Sequence, residues 1–213
     1  LPIREYEDDR FVFMATANGT VKKTPLEQFS RPRTAGLIAL ELEADNTLVG
    51  AALTDGQCDV LLLTSSGKAA RFAESDVRTV GRTARGVRGI RLLGKHRVIA
   101  LIIPQDGASV LTATENGYGK RTAVAEFPRK GRGSQGVIAM QASERNGALV
   151  GAIRVLPSDE VMLISDQGTL LRTVVDQISL LSRNTQGVKV MNVRDGEMLV
   201  GMARIADVPG TDG

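Results

Sequence analysis

The sequence predicts an all-β fold made of repeated units of about four strands each, the size of a propeller-type blade. Three observations carry that prediction. One passage is written four times, as VFMATANGTVKKT from Val12, VLLLTSSGKAARF from Val60, VLTATENGYGKRT from Val110 and VMLISDQGTLLRT from Val161, at steps of 48, 50 and 51 residues. A fixed period near 50 marks one supersecondary unit repeated in space, because a lone hairpin cannot bury its apolar face without neighbours. Each copy passes through a polar turn ending in glycine, at Gly19, Gly67, Gly117 and Gly168. Finally, no amphipathic helical stripe interrupts the pattern.

Taken in order, each unit begins with a β-hairpin, near residues 11–24, 60–72, 110–122 and 161–173. Apolar and β-branched residues fill its first strand, Asn-Gly, Ser-Gly or Gln-Gly supplies positive φ at the turn, and the return strand carries Lys or Arg. A polar connector follows and ends in Phe29, Val77, Phe127 or Ile178. Next come the basic, glycine-bearing loops SRPRTAG, RTVGRTARG, PRKGRGSQG and LSRNTQG, closed by Gly36, Gly86, Gly136 and Gly187 at steps of 50, 50 and 51. Strands such as Val87–Leu92 and Val137–Gln141 complete the unit. Residues 48–53, 98–103 and 149–155 read as strands that open the later repeats, and 1–6 matches them. Leu199–Ile205 reads as one more opening strand with no hairpin after it, followed by a loop-like tail, 208–213. The prediction is one domain over residues 1–207 with about four units, cut from a longer array because a strand at each end lacks its complement.

With 213 residues and 42% hydrophobic content the chain can bury a sizeable core. A single cysteine, Cys58, excludes internal disulfides and multi-cysteine zinc sites. Without a signal peptide or an apolar run near 18 residues, the sequence reads as a soluble cytoplasmic protein with no membrane partner. Net charge is a modest +3, but its distribution is uneven. Between Lys68 and Arg97 nine Lys or Arg stand against Glu74 and Asp76, a window of +7, so the rest of the chain totals −4.

Smaller basic clusters recur in register with that window. Return strands carry Lys22, Lys23, Lys68, Arg71, Lys120, Arg121 and Arg172, and the loops carry Arg31, Arg33, Arg82, Arg85, Arg129, Lys130, Arg132 and Arg183. Arg88 alternates with Arg91 on the strand expected at 87–92 and so shares one face with it, either the rim or a contact between blades. Equivalent residues of equivalent blades share one rim, which makes a curved basic stripe, the footprint of a polyanion. Glycines among the arginines allow backbone N–H groups close to phosphate oxygens. Aromatics make up 3% of the chain with no Trp, too few for base stacking on single strands, and no recognition helix is visible. Duplex DNA held by its phosphates remains.

Catalytic and cofactor chemistry finds little support. Arg129-Lys130-Gly131-Arg132-Gly133 lacks the Walker lysine pattern, and Gly117-Tyr118-Gly119 is a hairpin turn with no helix after it. His96, the only histidine, reads as an exposed loop residue; Cys58 reads as packed. Asp45, Asp55, Asp59, Asp106, Asp159 and Asp166 fall in turns, and neither Tyr6 nor Tyr118 has a base beside it. No metal-ligand spacing and no cofactor motif are present. The rival readings are a propeller-type scaffold for an acidic protein and a small hydrolase using His96.

Four stretches, VFMATANGTVKKTPLEQFSRPRTAG, RTARGVRGIRL, LTATENGYGKRTAVAEF and SRNTQGV, together resemble the C-terminal domain of the A subunit of DNA gyrase, and the resemblance covers essentially the whole chain. It implies a propeller-like β-pinwheel of four-stranded blades with strands exchanged between neighbours. It also implies wrapping of duplex DNA around the basic rim in support of negative supercoiling, with the rest of the gyrase A polypeptide and the gyrase B protein of the heterotetramer as partners. Apart from Lys68, which the repeat pattern alone adds, the return-strand and loop cations named above, with Arg88, are the positions to which it carries DNA contacts. The sequence departs from that family in two ways. Its Gln-Arg-Arg-Gly-Gly-Lys-Gly box is absent, with Arg129–Gly133 at the corresponding place in its own blade, and four of six repeats are present. No stretch matches the catalytic tyrosine region, which implies binding and bending without cleavage. The A protein of topoisomerase IV is the alternative within the same resemblance.

Overall fold

In the computed structural model, which describes residue 3 and residues 5–205, all four repeated passages are antiparallel hairpins. They join β1 (Phe11–Thr16) to β2 (Thr20–Pro25), β4 (Asp59–Thr64) to β5 (Lys68–Ala73), β8 (Ser109–Thr114) to β9 (Tyr118–Ala123), and β12 (Glu160–Ser165) to β13 (Leu170–Val174). Each turn is closed by a bond from the glycine N–H three residues back, as from Gly19 to the Thr16 carbonyl at 3.0 Å. Only the glycine takes positive φ (83° at Gly19, 78° at Gly117), and the preceding Asn18 and Asn116 do not. That is a type I turn closed by a left-handed glycine, rather than a turn with two positive φ values.

The strands expected to open each repeat instead close the preceding one. β3 (Leu48–Thr54) pairs with β1, β7 (Val98–Ile102) with β4, β11 (Leu149–Val155) with β8, and β15 (Leu199–Ile205) with β12. Chain order leaves such a strand adjacent to both hairpins, so its partner had to be found in the pairing itself. Leu199–Ile205 therefore has its complement. In the strand expected at 1–6, residues 1, 2 and 4 lie outside the described residues, while Ile3, Glu5 and Tyr6 belong to no strand. The tail at 208–213 also lies outside them.

A fourth strand comes from the next repeat. β6 (Val87–Arg88) pairs with β2, β10 (Val137–Ile138) with β5, and β14 (Val188–Lys189) with β9. Three sheets thus have four strands, in the orders β3-β1-β2-β6, β10-β5-β4-β7 and β11-β8-β9-β14; the fourth, β13-β12-β15, has three among the described residues. These exchanged strands are two residues long, shorter than the expected 87–92 and 137–141. The reason is local: after β6 the N–H groups of Gly89 and Ile90 both turn onto the Gly19 carbonyl, at 2.8 and 3.4 Å. Arg91 is consequently off the strand and does not alternate with Arg88.

Two of the closing glycines, Gly86 and Gly136, are explained by this exchange. A Cβ on Gly86 would lie 2.4 Å from the Val21 carbonyl oxygen, and one on Gly136 would lie 2.4 Å from that of Ala69. Both glycines have positive φ, so no side chain fits either the space or the backbone.

The chain divides into two compact units, Leu1–Pro104 with Phe127–Ala139, and Gln105–Glu126 with Met140–Gly213. Segment 127–139 belongs with the first because it carries β10 onto β5. Within unit 1 the core gathers Phe13, Leu62, Phe72, Val77 and Ile90, beside a second cluster of Val12, Met14 and Leu26. Phe13 and Phe72 are fully buried, and burial of such a side chain contributes about 1.5–3 kcal/mol. Unit 2 has its own clusters, around Val155, Val161 and Ile178 and around Leu163, Met191 and Leu199.

Candidate nucleic-acid interface

Return-strand cations face inward more than the sequence suggests. Lys22 and Lys23 are successive residues of β2 and so project to opposite sides, yet both are buried. The Lys22 ammonium donates to the Ala39 carbonyl at 2.8 Å and to that of Arg82. Lys23 donates to the Glu74 carbonyl at 3.3 Å and lies over the Phe11 ring, 5.1 Å from its centroid. Lys120 repeats the arrangement in unit 2, with its Nζ inside a cage of the Ser182, Arg183 and Thr185 carbonyls and Thr185 Oγ1, at 2.7, 2.6, 3.2 and 3.0 Å. Burial pushes the Lys120 ammonium down to about 8, against an attraction from Glu126. It also lowers Lys22, where the Arg82 charge adds to the effect.

The next column behaves alike. Arg71 pairs with Asp59 at 2.7 Å and donates to the Phe127 carbonyl at 3.3 Å. Arg121 donates to the carbonyls of Ile178 and Asp176 at 2.6 and 3.2 Å. Lys23, Arg71 and Arg121 each bridge, in parallel, to Thr79, Arg129 and Leu180 of the following loop. Lys22, Lys23, Arg71, Lys120 and Arg121, expected to meet DNA, therefore fasten a return strand to the next repeat's loop, and most of their surface is withdrawn from solvent. Lys68, which is half-buried, and Arg172, with an exposed side chain paired with Glu160, are the exceptions.

Loop cations of unit 1 lie outward and adjoin one another. Arg31 and Arg33 are exposed. Arg82 donates to the Ile38 carbonyl at 3.1 Å, which ties the first loop to the second. Arg132 donates to the carbonyls of Asp76, at 3.1 Å, and Arg88, which ties the third to the second. Arg85 is 72% exposed and only loosely paired with Glu41 at 3.5 Å. Arg129, 59% exposed, shares Asp59 with Arg71. Lys130 and Arg88 are exposed, and Lys68 is half-buried. Hydrogen bonds thus join three consecutive basic loops, through residues flanking them, within unit 1. In unit 2, Arg183 is half-buried, and its Nε donates to the Glu126 carbonyl at 2.9 Å.

Charge divides with the units. The unit 1 sequence carries eighteen Lys or Arg against twelve Asp or Glu, a formal +6, whereas unit 2 carries nine against twelve, −3. Arg78 and Arg91, both exposed on unit 1, add to its surface. Recurrence could not flag them, since no other repeat has a basic residue at those places; only the charge run contained them. In unit 2, Tyr118 is held between Arg145 and Lys189, each 4.4 Å from its ring centroid.

Cys58 lies with Asp55 and Glu74 in a group whose ligand atoms fall within 4.8 Å of one another. These residues satisfy each other: the Cys58 thiol donates to Glu74 at 3.0 Å, and Asp55 accepts the Gln57 and Cys58 N–H groups at 2.9 and 3.1 Å. Burial, reinforced by Glu74, raises the thiol to about 12. His96 is exposed, with Nδ1 3.3 Å from Ser65 Oγ.

An all-β, propeller-like protein of strand-exchanged blades, with basic loops gathered on one unit, is the class these features define. The family described as DNA gyrase C-terminal domain, beta-propeller, matches residues 10–55, 59–105, 108–155 and 159–206, one match for each hairpin and its following strand. The chain belongs to that family. It is 58% identical over 202 residues to the DNA gyrase A subunit of Pseudomonas aeruginosa and 51% identical over 207 to that of Escherichia coli K12. These matches cover 95% and 97% of the chain but 22% and 24% of the relatives. Among solved structures, the C-terminal domain of DNA topoisomerase IV superposes with a TM-score of 0.89 at 26% identity, over 96% of this chain and 64% of the other. A DNA gyrase A C-terminal domain gives 0.84, also at 26%, over 95% and 68%.

Proposed function

We propose that this chain binds and bends double-stranded DNA as a non-catalytic part of a gyrase A protein, working in the cytoplasm with the remainder of that polypeptide and with the gyrase B protein. The contact set is the exposed Arg31, Arg33, Arg85, Arg88, Arg129, Lys130 and Arg132 with the half-buried Lys68 and Arg82 on unit 1, and Arg172 and the half-buried Arg183 as lesser contributors on unit 2. The observation that carries this reading is the joining of three consecutive basic loops in a unit of formal charge +6. Duplex phosphates spaced along such a surface release counterions as they are neutralised, so affinity is electrostatic and indifferent to base sequence. Bending stiff duplex costs several kcal/mol, and many simultaneous loop contacts offset it.

Charge reversal of Arg31, Arg33, Arg129 and Lys130, tested by gel shift on two duplexes of unrelated sequence, checks the reading. Both affinities should fall together by about tenfold or more. Unchanged affinity on both would refute it, and so would binding of wild-type chain that ignores salt.

A further inference from the structure

A cleft beside the second hairpin turn brings Lys68, already in the contact set above, together with Arg91, which is not. Leu92 and Leu93 line its apolar side and Thr64, Ser66, Lys68, Arg91, His96 and Gln135 its polar side, around a volume of about 140 Å³. No carboxylate is among its lining residues. Neither Lys68 nor Arg91 has a side-chain hydrogen bond or ion pair among the described residues, although other arginines of unit 1, such as Arg71, Arg82 and Arg129, are engaged. Two unpaired cations facing one concavity repel each other until an anion lies between them.

The other repeats show that this chemistry is particular to the second. In the first, Thr20, Glu41 and Asn46 stand where Lys68, Arg91 and His96 stand here, and Glu43 and Arg85 complete a cleft of mixed charge. In the third, the equivalents are Tyr118, Gln141 and Asn146. There the protein fills the place itself: Asn146 is fully buried and donates to the Gln141 and Gln186 carbonyls at 3.0 and 2.9 Å. Only the second repeat combines two cations, an imidazole, a hydroxyl and a primary amide without an acid.

We propose that this cleft binds a phosphate oxyanion, and that in the DNA complex it seats one backbone phosphate. The second clause rests on the DNA-binding reading above. A tetrahedral oxyanion accepts several hydrogen bonds at once, and Lys68, Arg91, Ser66 Oγ and the Gln135 amide are all donors of charge-assisted or neutral bonds to it. The cleft borders the basic loops directly: Gln135 lies in the third loop, and the Arg91 N–H donates to the carbonyl of its neighbour Ser134 at 2.8 Å. A duplex lying on those loops reaches it without leaving unit 1.

His96 is the only histidine, so its imidazole proton resonances report on the cleft without assignment. The full chain is titrated in phosphate-free buffer with duplex DNA, and separately with inorganic phosphate. Both should move the His96 resonances, phosphate at the higher concentration. Lys68→Ala/Arg91→Ala should abolish both movements and make the plot of log affinity for duplex against log salt shallower by about 1. Gln135→Glu, which places a carboxylate in the cleft, should do the same while leaving both cations in position. The site is overturned if DNA binds by gel shift while neither DNA nor phosphate moves His96. If phosphate moves the resonances and bound DNA does not, the cleft takes free phosphate and the DNA clause is overturned. If no duplex binds at all, the DNA-binding reading fails, and the phosphate titration alone decides the cleft.

Discussion

Gly136 shows how much depends on a single missing methyl group. With positive φ and the Ala69 carbonyl oxygen 2.4 Å from where a Cβ would sit, an alanine there would push β10 off β5. Gly136→Ala should lower unfolding stability by about 2–4 kcal/mol, read from the denaturant midpoint. Gly36 makes a useful control for the steric part, since a Cβ there meets nothing within 4 Å. Lys120 is a second decisive residue. Lys120→Met strips its partners from the carbonyls of Ser182, Arg183 and Thr185 and should cost about 2–4 kcal/mol. Its pH dependence has a definite sign. Below about 8 the folded chain buries a charge, and between about 8 and 10.5 it has released a proton that the unfolded chain keeps. This group therefore stabilises the fold more as pH rises through that window, and the gap between wild type and Lys120→Met should widen from about pH 7.5 to about pH 9.5. Cys58, raised to about 12 by burial, should resist alkylation near pH 8 in the native state and react once unfolded.

At the scale of elements, the hairpins, their turn glycines and the spacing of the basic loops were all legible in the sequence. Each depends on local chemistry: alternation, positive φ and turn polarity. Strand partners were not, because β3 follows one hairpin and precedes another, and nothing in Leu48–Thr54 says which it joins. Nor was the fate of return-strand cations. A lysine in TVKKTP reads the same whether its ammonium meets solvent or, as for Lys22, the carbonyls of Ala39 and Arg82. Loop position was the better guide to exposure, since Arg31, Arg85 and Lys130 remain exposed. The two groups separate by experiment. Lys23→Met should change stability and leave the salt dependence of DNA binding untouched, whereas Lys130→Glu, at an exposed residue, should do the reverse, lowering affinity severalfold.

For the whole molecule, the decisive property is that charge and structure divide along the same line. The run from Lys68 to Arg97 lies entirely in unit 1, and the strand exchange adds Arg129, Lys130 and Arg132 to it by carrying residues 127–139 there. Strand exchange thus concentrates cations that chain order would have shared between units. A duplex bound mainly through this surface should respond to ionic strength as the number of neutralised phosphates dictates. The most direct test is duplex affinity measured across a salt series at fixed pH. The plot of log affinity against log salt should fall with a slope of about −4 or steeper, and removal of Arg85, Arg129 and Lys130 should make it shallower by about 2–3. A flat plot, or one that those three substitutions leave unchanged, would contradict the assignment of DNA binding to the loops of unit 1.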